Sequence, residues 1–348
     1  MTRKRDTHRR RAGNATLSDV AAAAGVSTAT VSRCLNAPQL VQQATRARVE
    51  DAVNRLSYAP NFGARALAVR QTDTVGAIVP TLDNAIFARG LQSFQEELGK
   101  AGVTLLVASS LYKADLENAQ VRTLVARGAD ALLLIGYDRE PAVHEFLNRR
   151  NVPHLVAWAH DPDRAVPSVG FDNRAAMRGL AARVLALGHR RFGLITAQRI
   201  GNDRARGRWL GVLDVLREAG LDDSALTIHE TTYSYENGRA GLRKILSAAD
   251  PPTVVMCGND VLAAGALQEA REMGLSVPRD LSITGFDDIE IAKITHPRLT
   301  TVRVPHREMG RRAARMLLSL RAEPEEPCSY RLDTSIRMRD SLSAPGAS

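Results

Sequence analysis

Thr16-Leu-Ser-Asp-Val-Ala-Ala-Ala-Ala-Gly-Val-Ser-Thr-Ala-Thr-Val-Ser-Arg-Cys-Leu-Asn36 is the stretch on which the reading of this chain turns. Thr16 stands three residues before Asp19, the spacing of a capping box, in which side chain and backbone satisfy each other's orphan groups. Leu17, Val20, Ala21 and Ala24 then recur at helical intervals. Gly25 breaks the pattern, and Ser27 can cap a second helix running to about Asn36. Val31 and Leu35 face inward on that helix, leaving Thr28, Ala29, Ser32 and Arg33 on the opposite side. A third helix over about 44–57 turns Val49, Val53 and Leu56 inward and Arg46, Arg48 and Arg55 outward. Helix, tight turn and second helix form the layout whose second member enters a DNA major groove. An ordinary helical hairpin with a solvated face has the same local pattern.

Charge separates the two. Residues 1–70 hold twelve basic and four acidic residues, a balance of +8 out of +9 for all 348 residues. One end of the chain suits a polyanion, and the remainder is close to neutral. Arg33 can donate two hydrogen bonds to a guanine, and Ala29 or the Thr28 methyl can touch a thymine methyl. The cluster Arg3–Arg5 and Arg9–Arg11 reads as a solvated, disordered arm over 1–14, with a small contribution to phosphate binding as the sharper alternative.

Other classes fall away. No run of 18 apolar residues exists, so a membrane span is not expected, and no apolar segment follows the arginine cluster as an export signal requires. Cys34, Cys257 and Cys328 are odd in number and widely spaced, which argues against a disulfide framework and for a reducing cytoplasm. Neither a phosphate-binding glycine loop nor a nucleophile elbow is present, so an enzyme is not expected, and no histidine pair has metal spacing. His189, at a helix end, has only a common structural reading.

Residues 59–73 read as a linker with a marginal helical turn or two. From Thr74 apolar runs alternate with amphipathic helices. Strands are predicted at 75–79, 104–108, 131–135, 154–158, 168–171, 192–197, 227–231, 254–257, 281–285 and 299–304. Helices are predicted at about 87–101, 114–127, 173–187, 207–219, 235–248, 260–273 and 305–320. Such alternation implies parallel sheets, and ten strands exceed what one doubly wound sheet usually holds. Two α/β lobes follow, with ligand sites in the crevice at the strands' carboxyl ends.

The quoted stretch closely resembles the N-terminal signature of lactose-repressor (LacI) family transcription regulators. Thr45–Val49, Leu56–Asn61 and Ala64–Leu67 are similar to the same family, as are Cys257–Asp260, Ser282–Asp288 and Pro297–Thr301 in the C-terminal part. Gln42 departs from the pattern, since the family places Ser or Thr ahead of the third helix, and a weaker cap is expected there. The resemblance implies an all-α helix-turn-helix domain at 15–59 and a hinge helix at 60–72. It further implies a two-lobed periplasmic-binding-protein-like (type I) core with parallel sheets at 73–340. The N-lobe would hold about 73–171 plus 303–328, and the C-lobe about 172–302 plus 329–340. A disordered tail is expected at 341–348.

On that resemblance the DNA-contacting set is Thr16, Ser27, Thr28, Ala29, Thr30, Ser32, Arg33 and Asn36, with Asn61, Ala64 and Leu67 from the hinge. Leu67 is similar to the leucine that family dimers wedge into the operator's minor groove, and its bland alternative is packing on the core lobe. The effector set is Phe87, Asp172, Arg208, Tyr233, Asn259 and Asp287. Aromatic faces pack on a sugar ring while Asp, Asn and Arg bond its hydroxyls or a carboxylate. Asp172 and Asp287 can instead cap the segments that follow, and Arg208 can belong to an exposed Arg204/Arg206/Arg208 set. Residues 158–173 are similar to members of the gluconate-repressor type, which implies a sugar acid. A cytoplasmic homodimeric repressor on a palindromic operator, with a sugar or sugar-acid effector and neither cofactor nor metal, is the resulting expectation. The alternatives weighed against it are an exported binding protein and an α/β enzyme.

Overall fold

The structure, a computed structural model, describes residues 15–59, 72–83, 85–322 and 329–346. The basic arm, the hinge positions Asn61, Ala64 and Leu67, and Cys328 lie outside the described residues. The chain divides into two compact units, 1–72 and 73–348.

The first unit has three helices, α1 (Leu17–Ala24), α2 (Thr28–Asn36) and α3 (Gln43–Arg55). The predicted capping box is formed: the Thr16 hydroxyl accepts from Asp19 N–H at 3.3 Å, and Thr16 N–H donates to the Asp19 carboxylate at 2.8 Å. Gly25 ends α1 in the left-handed region (φ 63°), where a side chain is strained, and its N–H returns to the carbonyls of Ala21 and Ala22. Ser27 caps α2 by accepting from Thr30 N–H. Gln42 makes no side-chain cap on α3, as its identity predicts. Val20, Ala21, Ala24, Val31, Cys34, Val49 and Ala52 form a small buried core, with Leu17, Leu35, Val53 and Leu56 packed against it.

The second unit holds two six-stranded sheets. The first comprises β1 (Thr74–Val79), β2 (Thr104–Ser109), β3 (Ala131–Ile135), β4 (His154–Ala157), β5 (Ser168–Gly170) and β11 (Tyr330–Arg331). The second comprises β6 (Phe192–Ala197), β7 (Leu226–Thr231), β8 (Val254–Cys257), β9 (Ser282–Asp287), β10 (Thr300–Arg303) and β12 (Ser335–Arg337). Their spatial orders, 11-5-4-3-1-2 and 12-10-9-8-6-7, are the same pattern repeated. All ten predicted strands are present. β11 and β12 are additions of two and three residues, and β12 pairs with β10 antiparallel, so the second sheet is not wholly parallel as expected.

The first sheet is flanked by α4 (Ala85–Lys100), α5 (Ala114–Ala126), α6 (Pro141–Arg149) and α12 (His306–Ala322), and the second by α7 (Asn173–Ala186), α8 (Asp203–Glu218), α9 (Tyr235–Leu246) and α10 (Asp260–Glu272), with a short α11 (Ile291–Ile294). Helix pairs meet backbone to backbone at glycine. A Cβ on Gly310 of α12 would lie 2.0 Å from the Gly90 carbonyl oxygen of α4, and one on Gly265 of α10 would lie 2.0 Å from the Tyr235 carbonyl oxygen of α9. The chain passes between lobes three times: from β5 to α7, from β10 to α12, and from β11 to β12.

Two boundary expectations are corrected. Residues 329–331 belong to the N-lobe, because β11 pairs with β5. The segment 341–346 is not a loose tail. Ser341 and Leu342 are buried, the Ser341 hydroxyl donates to the Ile283 carbonyl and accepts from Thr300 N–H at 2.9 Å, and His189 bonds the Ser343 carbonyl at 2.8 Å. Its Ser/Ala/Pro composition hid this, because the segment is held by hydrogen bonds to strand ends and not by an apolar stripe.

Candidate functional site

On the helix-turn-helix unit, Thr28, Ala29 and Arg33 are exposed on one side of α2 while Val31 and Cys34 are buried on the other. Ser32 is half-buried and accepts from the exposed Asn36 amide at 3.2 Å. Thr16 and Ser27 are exposed and engaged in caps, and Thr30 is half-buried with its hydroxyl 2.9 Å from that of Ser27. Ser27 and Thr30 fix the start of α2, Thr16 fixes the start of α1, and Thr28, Ala29 and Arg33 are exposed on α2.

In the larger unit the strands' carboxyl ends converge on a cleft between the sheets. The space there is about 370 Å³, part of it open to solvent, and its walls include Phe87, Tyr112, Trp158, Phe171, Asn173, Asn202, Arg204, Arg208, Tyr233, Asn259 and Asp287. Both lobes supply walls: α4 and the loops after β2, β4 and β5 on one side, α8 and the ends of β7, β8 and β9 on the other. The site of the crevice is set by parallel topology, which sends every strand-end loop to the same edge.

Arg208 is the organising group. It is buried; Nη2 donates to the Tyr233 hydroxyl at 2.8 Å and Nη1 to Asn173 Oδ1 at 3.3 Å, and the guanidinium lies 4.8 Å from the Phe286 ring centroid. Asn173 in turn donates to the Trp158 carbonyl, so the C-lobe arginine is tied to the N-lobe strand end through one side chain. Asp287 is buried at the end of β9 in the left-handed region (φ 104°), a strained position for a residue with a Cβ. Burial pushes its carboxyl up to about 7, against the pull of Arg208 in the other direction. Asp287 Oδ2, Arg208 Nε and Asn259 Nδ2 have no partner among the described residues. Asn259 Oδ1 meanwhile accepts from Leu262 N–H at 2.9 Å, so this residue both caps α10 and faces the cleft.

Phe87 packs against Trp158, ring centroids 5.4 Å apart and tilted by 60°. Five of the six sequence-predicted effector residues thus share one cavity. Asp172 does not line it; its carboxylate caps α7 by accepting from Ala175 N–H at 2.9 Å, and the neighbouring Asn173 lines the wall instead. The alternative of an exposed arginine set does not hold: Arg206 is half-buried and pairs with Asp138 of the other lobe, and Arg204 and Arg208 are buried. Tyr112, Trp158, Phe171, Asn173, Asn202 and Arg204 line the cleft without having a place in the effector set expected from the sequence. Trp158, one of two tryptophans and placed at a predicted strand end, carries a usable signal; Tyr112 in a loop, Asn202 at a helix cap and Arg204 in the first turn of α8 carry none. Among the described residues no group of three or more His, Cys, Asp or Glu could hold a metal, and no helix is long and apolar enough to cross a membrane.

Residues 16–61 match the family described as bacterial regulatory proteins, lacI family, and residues 181–342 match a periplasmic binding protein-like domain. The HTH-type transcriptional repressor CytR of Escherichia coli (strain K12) is 33% identical over 305 residues, covering 87% of this chain and 89% of the relative. This chain belongs to the LacI family. Its fold is that of the lac repressor dimer bound to operator and the anti-inducer ONPF, with a TM-score of 0.84, 26% identity, and coverage of 95% of this chain and 100% of that one. A LacI-family regulator from Enterococcus faecium with bound ribose aligns with a TM-score of 0.70 and 25% identity, over 78% of this chain and 99% of that one. The LacI-family protein described here is a DNA-binding transcriptional repressor and not an enzyme.

Proposed function

We propose that this repressor grips a palindromic operator as a homodimer, and that a sugar or sugar acid seated between the lobes controls the grip. The observation that carries the effector reading is the set of unpartnered polar atoms in the cleft: Asp287 Oδ2, Arg208 Nε and Asn259 Nδ2. Each costs about 1–3 kcal/mol when buried unsatisfied. A polyhydroxy ligand repays that cost by accepting from the two donors and donating to the carboxylate, while Phe87 and Trp158 offer aromatic surface to its C–H face. The ribose bound by the E. faecium relative is a ligand of this class.

On the DNA side, two copies of α2 read two half-sites, and paired Leu67 side chains enter the minor groove at the centre. Arg33→Ala is expected to cost about 1–3 kcal/mol on the specific operator and almost nothing on unrelated duplex. Fluorescence anisotropy with both DNAs measures this, and an equal loss on both would remove Arg33 from base reading.

The whole reading is tested with duplex from the protein's own promoter, titrated with and without D-ribose, D-glucose and D-gluconate. A change in operator affinity with one ligand class, in either direction, supports it. Tight operator binding that none of them alters, with no heat of binding in calorimetry, overturns the effector half. Because coupling is reciprocal, the active ligand's own affinity must change by the same factor when operator is present.

A further inference from the structure

Two side chains of the cleft wall, Trp158 and Asp287, are joined behind it by a buried third, His306, which does not line the cleft. Trp158 Nε1–H donates to His306 Nδ1 at 3.2 Å, and His306 Nε2 faces Asp287 Oδ1 at 3.5 Å. An indole N–H can only donate, so Nδ1 must be the unprotonated nitrogen. Burial pushes the imidazole down to about 3, so the ring is neutral and its single proton sits on Nε2, on the side of Asp287, whose backbone carbonyl and carboxylate both face it. At 3.5 Å that contact is an approach and not a formed hydrogen bond.

The three residues come from different parts of the fold. Asp287 ends β9 in the C-lobe, His306 opens α12 directly after a crossing between lobes, and Trp158 follows β4 in the N-lobe. Trp158 lies against Gly90 of α4, where a Cβ would sit 2.4 Å from the indole ring, and Gly90 in turn touches Gly310 of α12. Trp158 is in the left-handed region (φ 61°), as is Asp287, so both ends of the chain hold strained backbone.

We infer that His306 is a positioning residue of the effector site, linking the Asp287 carboxylate to the Trp158 indole and so to the α4–α12 pair. This rests on the cleft being the effector site. When Asp287 is an ionised acceptor, Nε2–H closes on Oδ1 and leaves Oδ2 for a ligand hydroxyl. When Asp287 is protonated, the pull on His306 is lost and the indole relaxes.

The charged surroundings of the chain are fixed. Burial opposes the ionised carboxylate and Arg208 on α8 favours it, while burial and the neighbouring Asp287 push the Asp260 carboxyl on α10 well up. Asp288 is spent on Arg339 at 2.5 Å, Tyr112 faces Asp287 from the loop after β2, and Arg89 on α4 disfavours a cation on His306. Asp287 is therefore the member of the chain that titrates near neutrality, and no proton need move onto His306.

The test uses the full chain with Trp209→Phe, which leaves Trp158 as the single tryptophan. Its emission is followed from about pH 5 to about pH 9, bracketing the carboxyl's raised value. One transition near neutrality is expected. His306→Gln, which can accept from the indole and donate to the carboxylate, should keep it; His306→Phe should lose it. Asp287→Asn should also lose it, and decides the matter if His306→Phe does not fold.

A transition that persists in Asp287→Asn, or that His306→Phe retains, overturns the inference. So does a flat profile in the parent, or a glutamine variant no better than phenylalanine. D-ribose and D-gluconate are titrated alongside. If neither binds while the indole still follows pH through His306, the ligand reading fails and the linkage stands.

Discussion

Replacing Arg208 with alanine should abolish ligand response while leaving operator binding intact. The guanidinium bonds Tyr233 and Asn173, stacks over Phe286 and favours ionised Asp287. Truncating one member of a buried charged cluster typically costs about 2–5 kcal/mol, since its partner is left uncompensated. A loss of about 100-fold in affinity, roughly 3 kcal/mol, is therefore expected for whichever ligand the screen identifies. Folding should survive, because a buried carboxyl without its cation takes up a proton instead of remaining charged. Calorimetry on the variant, paired with anisotropy on operator DNA, separates these effects. Wild-type ligand affinity would remove Arg208 from the site, and lost operator binding would show that its role is structural.

Val31→Asp should have the opposite profile. Val31 is fully buried in a core of only seven residues that holds α1, α2 and α3 together. A carboxylate placed there costs several kcal/mol with no cation to meet it. So small a helical unit has little stability in reserve. Specific DNA binding should be lost outright, while the ligand's heat of binding at the cleft stays unchanged. Val31→Ile, which keeps the chemistry and adds one methylene, should lose far less. Retained operator affinity in Val31→Asp would contradict the packing described for α2.

The helix-turn-helix was legible because its determinants are local. A cap three residues before an acid, a glycine where the backbone turns left-handed, and apolar positions four apart all act within twenty residues. The inner strands β1, β3, β4, β6 and β8 are legible for a related reason: strands buried on both faces need unbroken apolar runs. What escaped was non-local. β11 and β12 exist because Tyr330 and Ser335 reach the edges of two sheets, and so short a pairing leaves no periodicity. His306 follows Val304-Pro305, and nothing there announces that its ring meets an indole 148 positions earlier. Asp172 and Asp287 read alike, each an acid at a strand end. Only burial separates them: Asp172 reaches a helix N-terminus and is spent there, whereas Asp287 turns into the cleft. The burial of Ser341–Ser343 leaves no mark in the sequence, because composition reports apolar burial and is silent on hydrogen-bonded burial.

The three passages of the chain between its sheets limit how the lobes can move. A single strand of polypeptide would let one half swivel freely about the other, and two would still permit rotation about their common line. Three connections side by side behave as a leaf hinge, which bends readily in one plane and resists torsion and shear. Opening and closing is then close to a one-coordinate motion, so whatever fills the cleft has a single quantity to set, the angle at which the leaves come to rest.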